Sequence, residues 1–180
     1  MPPWISHISS AQKKESKINS SRWIQLATTG VDNKPRVRTV VFRGWSESYE
    51  MKIFFDKRSQ KFQELNYNNN VEICWLFARC KCQFRLRGKS RIDLGDDNIN
   101  LWNQLDEKNR SMWSWPRPGD TFLPDKKRDL PAKPMELLSD NFALLKVDIT
   151  HVDQLLLENP VHMRRKWIKK HKWIEERINP

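Results

Sequence analysis

Glycine is scarce in this 180-residue chain, and its five copies, Gly30, Gly44, Gly88, Gly95 and Gly119, each stand alone. Isolated glycines build neither the GxGxxG turn of a dinucleotide fold nor the GxxxxGK[ST] loop that cradles phosphates. A phosphate bound here has to be held by side-chain cations and a helix N-terminus, whose unpaired N–H groups attract an anion. The three cysteines, Cys74, Cys80 and Cys82, are odd in number and lie in strand-like sequence, so buried thiols are expected rather than a disulfide framework. His7, His151, His162 and His171 show no spacing that completes a zinc site with Cys80 and Cys82, and no metal is expected. No apolar run approaches the roughly 20 residues that span a bilayer, and "MPPWISHISSAQKKESK" has no leader-like apolar core. The expectation is a soluble cytoplasmic protein without membrane contact.

What is abundant is positive charge. The 33 basic and 22 acidic residues leave +11, which favours anionic partners. The cations recur in nearly every segment and form no single-sign arm, which argues against nucleic acid as the partner. Hydrophobic residues make up 38% of the chain and aromatics 11%, enough for one folded domain over 1–180.

Pattern and turn residues predict a polar helix over 9–20 within an N-terminal arm (1–21). A hairpin "RWIQLATTG"/"RVRTVVFRG" follows, then strands "MKIFFD", "VEICWLFA" and "KCQFRLRGKSRIDL", with a short helix "SQKFQELNYN" between the first two. Asp96 and Asp97 open a helix through Trp102 and Leu105, and residues 113–134 form a proline-rich loop. "FALLKVDI", "HVDQLLL", "RRKWIKK" and "KWIEERI" supply the remaining strands, with Asn159-Pro160 as a turn. The fold class is mainly β (α+β), an antiparallel β-barrel with a few peripheral helices.

Two stretches carry candidate chemistry. In "IFFDKRSQKFQEL" (53–65) an apolar strand ends in Asp56-Lys57-Arg58-Ser59-Gln60-Lys61 just where a helix begins. Ser59 can cap that helix, and Arg58 and Lys61 place charge beside its N-terminus; the plain alternative is a cap with solvated cations. In "RVRTVVFR" strict alternation puts Arg38 and Arg43 on opposite faces, so one ligand can touch both only across a bulge, a curve or the strand end. Unpaired buried arginine is costly, and each must reach solvent, an acid or a ligand.

The order "WIQLATTG…KPRVRTVVFRGW…IFFDKRSQKFQEL…VEICWLF…CQFRLRG", with "RINP" at the end, resembles the pyridoxamine 5'-phosphate oxidase-related FMN-binding split barrels, specifically their cyanobacterial-type branch. The resemblance covers about residues 22–91 and the last thirty. It implies a split barrel binding FMN at a homodimer interface. Arg38 and Lys61 would hold the phosphate, with Ser59, Arg58 and Gln60 beside them; Gln60 stands where the family has a second cation. The backbone of Thr39, Val40 and Val41 would line the isoalloxazine ring, Phe54 and Phe55 would contact the flavin, and Gln83 would hydrogen-bond the ring. Arg43 stands in place of a lysine at the cofactor and substrate, His162 would face substrate, and Arg164 would approach the flavin.

Pro160 replaces the family's first substrate arginine, Gln154 a flavin-contacting tryptophan, and "WNQLDEKNRS" lacks the residues that grip the vitamin phosphate. Three readings follow: an FMN-dependent oxidoreductase for a small anionic substrate, a non-catalytic flavin-binding module or carrier, and a basic barrel for single-stranded nucleic acid.

Overall fold

The computed structural model describes residues 1–17, 19–122, 137–157 and 160–180. Eight strands form one antiparallel sheet: β1 (Trp23–Thr29), β2 (Pro35–Trp45), β3 (Met51–Asp56), β4 (Asn70–Phe77), β5 (Cys82–Asp93), β6 (Phe142–Leu156), β7 (Met163–Ile168) and β8 (Glu176–Ile178). Their order is β3-β2-β1-β4-β5-β6-β7-β8, and β6 also pairs with β3. That extra pairing closes six strands into a barrel and leaves β7 and β8 as an extension. Closure removes most of the barrel strands' open edges.

The barrel follows from period-two burial. Ile24 and Leu26 of β1, Ile53 and Phe55 of β3, Ile73, Trp75 and Phe77 of β4, and Phe84 and Leu86 of β5 all point inward and are buried. The hydrophobic effect on these alternate residues fixes the register, because a one-residue slip would turn the set outward.

β6 differs from expectation. "FALLKVDI" and "HVDQLLL" are one continuous 15-residue strand, not two. Its first part pairs with β3 and its last part with β7, while β5 runs along nearly all of it. The irregular point is a bulge: Arg87 opposes His151 and Gly88 opposes Ile149, so Thr150 is the extra residue. Gly88 permits the close approach there, since a Cβ on it would stand 2.3 Å from the Asp148 carbonyl oxygen.

Four helices pack outside. α1 (Trp4–Lys14) begins earlier than the expected 9–20, because Trp4, Ile5, Ile8 and Ala11 form its buried face. Trp4 meets Trp45 at 5.4 Å and Trp173 at 5.6 Å. α2 (Gln60–Tyr67) follows β3, and α3 (Asp96–Asn103) begins at the two expected aspartates. α4 (Glu107–Ser111) and a 3-10 turn (Met112–Ser114) occupy sequence that had been assigned no helix. β8 is only three residues long, because Lys172 and Trp173 adopt positive φ and turn the chain first. Residues 123–134 of the proline-rich segment, and Asn159 of the expected turn, lie outside the described residues.

Candidate functional site

The junction of β3 and α2 gathers the charges that drew attention in the sequence. Ser59 occupies the N-cap position of α2 with extended backbone, but its hydroxyl does not cap the helix. Oγ donates instead to the Asp56 carbonyl at 2.5 Å and accepts from Lys61 Nζ at 3.0 Å. The first-turn N–H groups therefore carry no side-chain acceptor. Phe62 N–H alone folds back, onto the Ser59 carbonyl at 3.0 Å.

Lys61 is half-buried, with Nζ 5.9 Å from the centre of the Phe55 ring. Burial pushes its ammonium below the usual lysine range, and the nearby Arg38 charge pushes it further; Asp56 and Glu64 offset only part of this. No carboxylate bonds Lys61 among the described residues.

Arg38 reaches the same place from β2. Its Nη2 donates to Glu64 Oε2 at 2.5 Å, and its Nη1 to the Thr28 hydroxyl and the Leu26 carbonyl. Thr28 in turn donates to Glu64 at 2.6 Å. Thr28 and Glu64 are each only 5% exposed, so the triad is internal. Sequence reasoning missed Glu64 altogether. The available signal was Thr28 and Arg38 at inward-facing strand positions, which demand a polar partner.

Arg58 is placed differently from its neighbours. Its guanidinium forks onto Asp56, with the shortest contact 2.7 Å, and Nη2 also donates to the Trp115 carbonyl at 2.9 Å. The Asp56 hydrogen bonds hold its charge more firmly than usual. Gln60 is exposed at the start of α2.

Arg43 lies within the β2–β3 irregularity between Phe42 and Trp45, next to Gly44 at φ +110°. The bulge foreseen as a condition for Arg38 and Arg43 to share a ligand is thus present at Arg43 rather than between the two. Arg43 stacks on Phe54, 5.0 Å from the ring centre, and its buried Nε has no hydrogen-bond partner among the described residues. Burial, then the Arg22 charge, lowers its proton affinity below an ordinary arginine's. Phe54 belongs to a small second core with Phe142, Trp102 and Trp113. Phe55, at 3% exposure, points into the barrel, so its ring is not presented outward.

The first half of β2 is paired on one side only. Residues 35–41 pair with β1, whereas the ladder to β3 contains only Phe42 and Trp45. The backbone edge at Thr39–Val41 consequently faces a gap in the barrel wall, beside β3 and the start of α2. Val40 is buried, Thr39 exposed and Val41 half-buried.

Gln83, Leu155 and Arg164 form one row across β5, β6 and β7. Arg164 is bidentate to Asp153, with the shortest contact 2.8 Å. His162 is exposed just before β7. With the barrel closed through β3 and β6, β5 and β7 each lie three strands from β2, ~14 Å around the surface at ordinary strand spacing. Among the described residues no hydrogen bond or ion pair joins Gln83 or Arg164 to Arg38 or Lys61. Gln154, by contrast, is buried, accepting from Arg165 Nε at 2.7 Å.

Comparison with known proteins supplies the rest. A pyridoxamine 5'-phosphate oxidase-related FMN-binding protein from Nostoc punctiforme is 30% identical and superposes with a TM-score of 0.91, covering 100% of this chain and 99% of that one. PhzG from Burkholderia lata shares the fold at a TM-score of 0.86 and 15% identity, over 99% of this chain and 92% of its own. Pyridoxine/pyridoxamine 5'-phosphate oxidase 2 of Arabidopsis thaliana is 34% identical over 62% of this chain. The chain spans about half the length of the curated relatives it matches: 56% of the Arabidopsis protein and 38% of a Sinorhizobium fredii oxidase. The family model described as pyridoxamine 5'-phosphate oxidase, FMN-binding domain, matches residues 1–93. This chain therefore belongs to that family of FMN-binding split barrels, and FMN is its cofactor.

Proposed function

We propose that this protein is an FMN-dependent oxidoreductase that accepts a hydride from a small anionic substrate, working as a homodimer with the flavin between subunits. The observation that carries the reading is Lys61, a half-buried cation whose one hydrogen-bond partner among the described residues is a serine hydroxyl, set at a helix N-terminus without a side-chain cap. A flavin phosphate, mostly dianionic at neutral pH, relieves both deficits at once.

The donor set fits FMN. Lys61 keeps two N–H groups and Arg38 keeps Nε–H for the phosphate, beside the first N–H groups of α2; the Ser59 hydroxyl joins them by turning from the Asp56 carbonyl. The one-sided backbone of Thr39, Val40 and Val41 offers hydrogen-bonding groups to the polar edge of the ring. Phe54 and Arg43 extend that wall. Arg58 has Nε and Nη2 committed to Asp56 and the Trp115 carbonyl, which leaves Nη1 for a supporting contact. FMN, when bound, supplies the redox chemistry, taking a hydride at N5. The protein's share is orientation: Arg43, with its unpartnered Nε, is suited to hold an anionic substrate group, and His162 lies on an exposed segment open to substrate.

The dimer is supported by two features. Gln83 and Arg164 share no bond with Arg38 or Lys61 on their own chain, which suits their contribution to the flavin site of a second chain. The outer sheet also exposes Trp23, Val37 and Leu76, at 53%, 70% and 52%, an apolar surface suited to a partner copy.

Purified protein should be yellow, should release FMN on denaturation, and should bleach anaerobically with its reductant and recolour in air. Colourless protein that does not take up added FMN would refute the proposal. A second reading, a flavin module without turnover, draws on the commitment of Arg164 to Asp153 and of Gln154 to Arg165. Pyridoxamine 5'-phosphate is expected to give little or no aldehyde.

A further inference from the structure

The structure assigns to Glu64 a positioning role: its buried carboxylate, with the Thr28 hydroxyl, aims Arg38 at the flavin phosphate and so sets how strongly the protein prefers FMN over riboflavin. This rests on the phosphate site proposed above.

Three observations carry it. Arg38 sits at an inward-facing position of β2, where its long side chain could adopt many rotamers. Glu64 and Thr28 reduce these to one by engaging both terminal nitrogens, Nη2 at 2.5 Å from Glu64 and Nη1 on the hydroxyl. Thr28 and Glu64 are also bonded to each other, so neither holder moves alone. A planar guanidinium fixed at two nitrogens presents its remaining N–H groups in a defined direction.

Charge gives the triad a second effect. Arg38 and Lys61 lie close enough to repel, and Glu64, bonded to Arg38, also offsets part of the charge felt by Lys61. It follows Lys61 by one turn of α2, so the helix that carries one phosphate ligand also holds the other in place.

The test is the ratio of riboflavin to FMN dissociation constants, read by quenching of flavin fluorescence in apoprotein. Glu64→Ala should lower this ratio about tenfold while leaving riboflavin affinity within twofold. Glu64→Gln, which keeps an oxygen acceptor for Nη2, should recover most of the loss. In an Arg38→Ala background Glu64→Ala should have no further effect on the ratio. An unchanged ratio in Glu64→Ala, a rise in FMN affinity, or an equal loss for both flavins would overturn the role. If Glu64→Ala does not fold, Thr28→Val tests the other holder, with a severalfold fall expected and an unchanged ratio refuting it. Arg38→Ala separates the two levels. If it leaves the ratio intact, the phosphate site itself is misplaced; if it lowers the ratio and Glu64→Ala does not, only the positioning role fails.

Discussion

Replacing Lys61 with Met should loosen FMN and stabilise the protein without it. Lys61 Nζ has one bond to Ser59 and two N–H groups to give, so methionine removes at least one charged hydrogen bond to the phosphate. That is worth ~1.5–3 kcal/mol, or about 10- to 150-fold in dissociation constant. Without flavin the same ammonium is a liability, since burial and Arg38 both disfavour its charge. A lysine whose proton affinity is lowered by folding destabilises the folded state below its ordinary range, so the methionine variant should melt higher as apoprotein at neutral pH. The pH profile gives a third readout. FMN affinity should rise as the phosphate takes its second charge near pH ~6. It should fall on the alkaline side, as Lys61 loses its proton in the free protein before it would in the complex. The alkaline limb should vanish in Lys61→Met. Titrating flavin fluorescence from pH 5 to 10, with thermal melts of the apoproteins, tests all three. A variant that binds FMN normally, or that melts lower without flavin, would refute the reasoning.

Gly88→Ala should destabilise the barrel by ~3 kcal/mol, because the new methyl group meets the Asp148 carbonyl and backbone rather than a flexible side chain; a melting temperature lower by roughly 6–12 °C is expected. Asp93→Asn should cost ~1–3 kcal/mol at neutral pH, leaving the buried Lys146 with Asp97 alone. Burial raises the Asp93 carboxyl, but Lys146, the Gly95 N–H and Arg91 together bring it below the ordinary aspartate range. Its contribution is therefore complete above that range and lost as pH falls through the depressed value, so urea unfolding of wild type and variant should converge in acid. Leu76→Glu on the outer sheet should shift light-scattering mass from dimer to monomer without changing the far-ultraviolet spectrum; an unchanged mass would remove that face from the interface.

Most strands were legible because their burial alternates. "MKIFFD" became β3 without revision, and Cys82, Phe84 and Leu86 predicted the inner face of β5. β6 was cut in two by Thr150 and His151, since polar residues at a bulge look like a turn when the partner strand is unseen. The start of α1 was hidden behind Pro2 and Pro3, although Trp4, Ile5, Ile8 and Ala11 have helical spacing. At the site, the cations at the mouth of α2 were readable, but their allegiances were not. Arg58 turns to Asp56 two residues away, while Arg38 turns to an acid 26 residues distant, which only the closed fold brings near.

The pairing of β3 with β6 joins segments almost ninety residues apart, and that separation has a consequence for synthesis. The stretch matched by the family model ends at residue 93, after five of the six staves of the barrel have been made. A nascent chain stopped there has hydrogen-bonding rows along β3 and β5 with nothing to complete them. Such a fragment should aggregate or recruit a chaperone until the last stave emerges and seals both sides in one step.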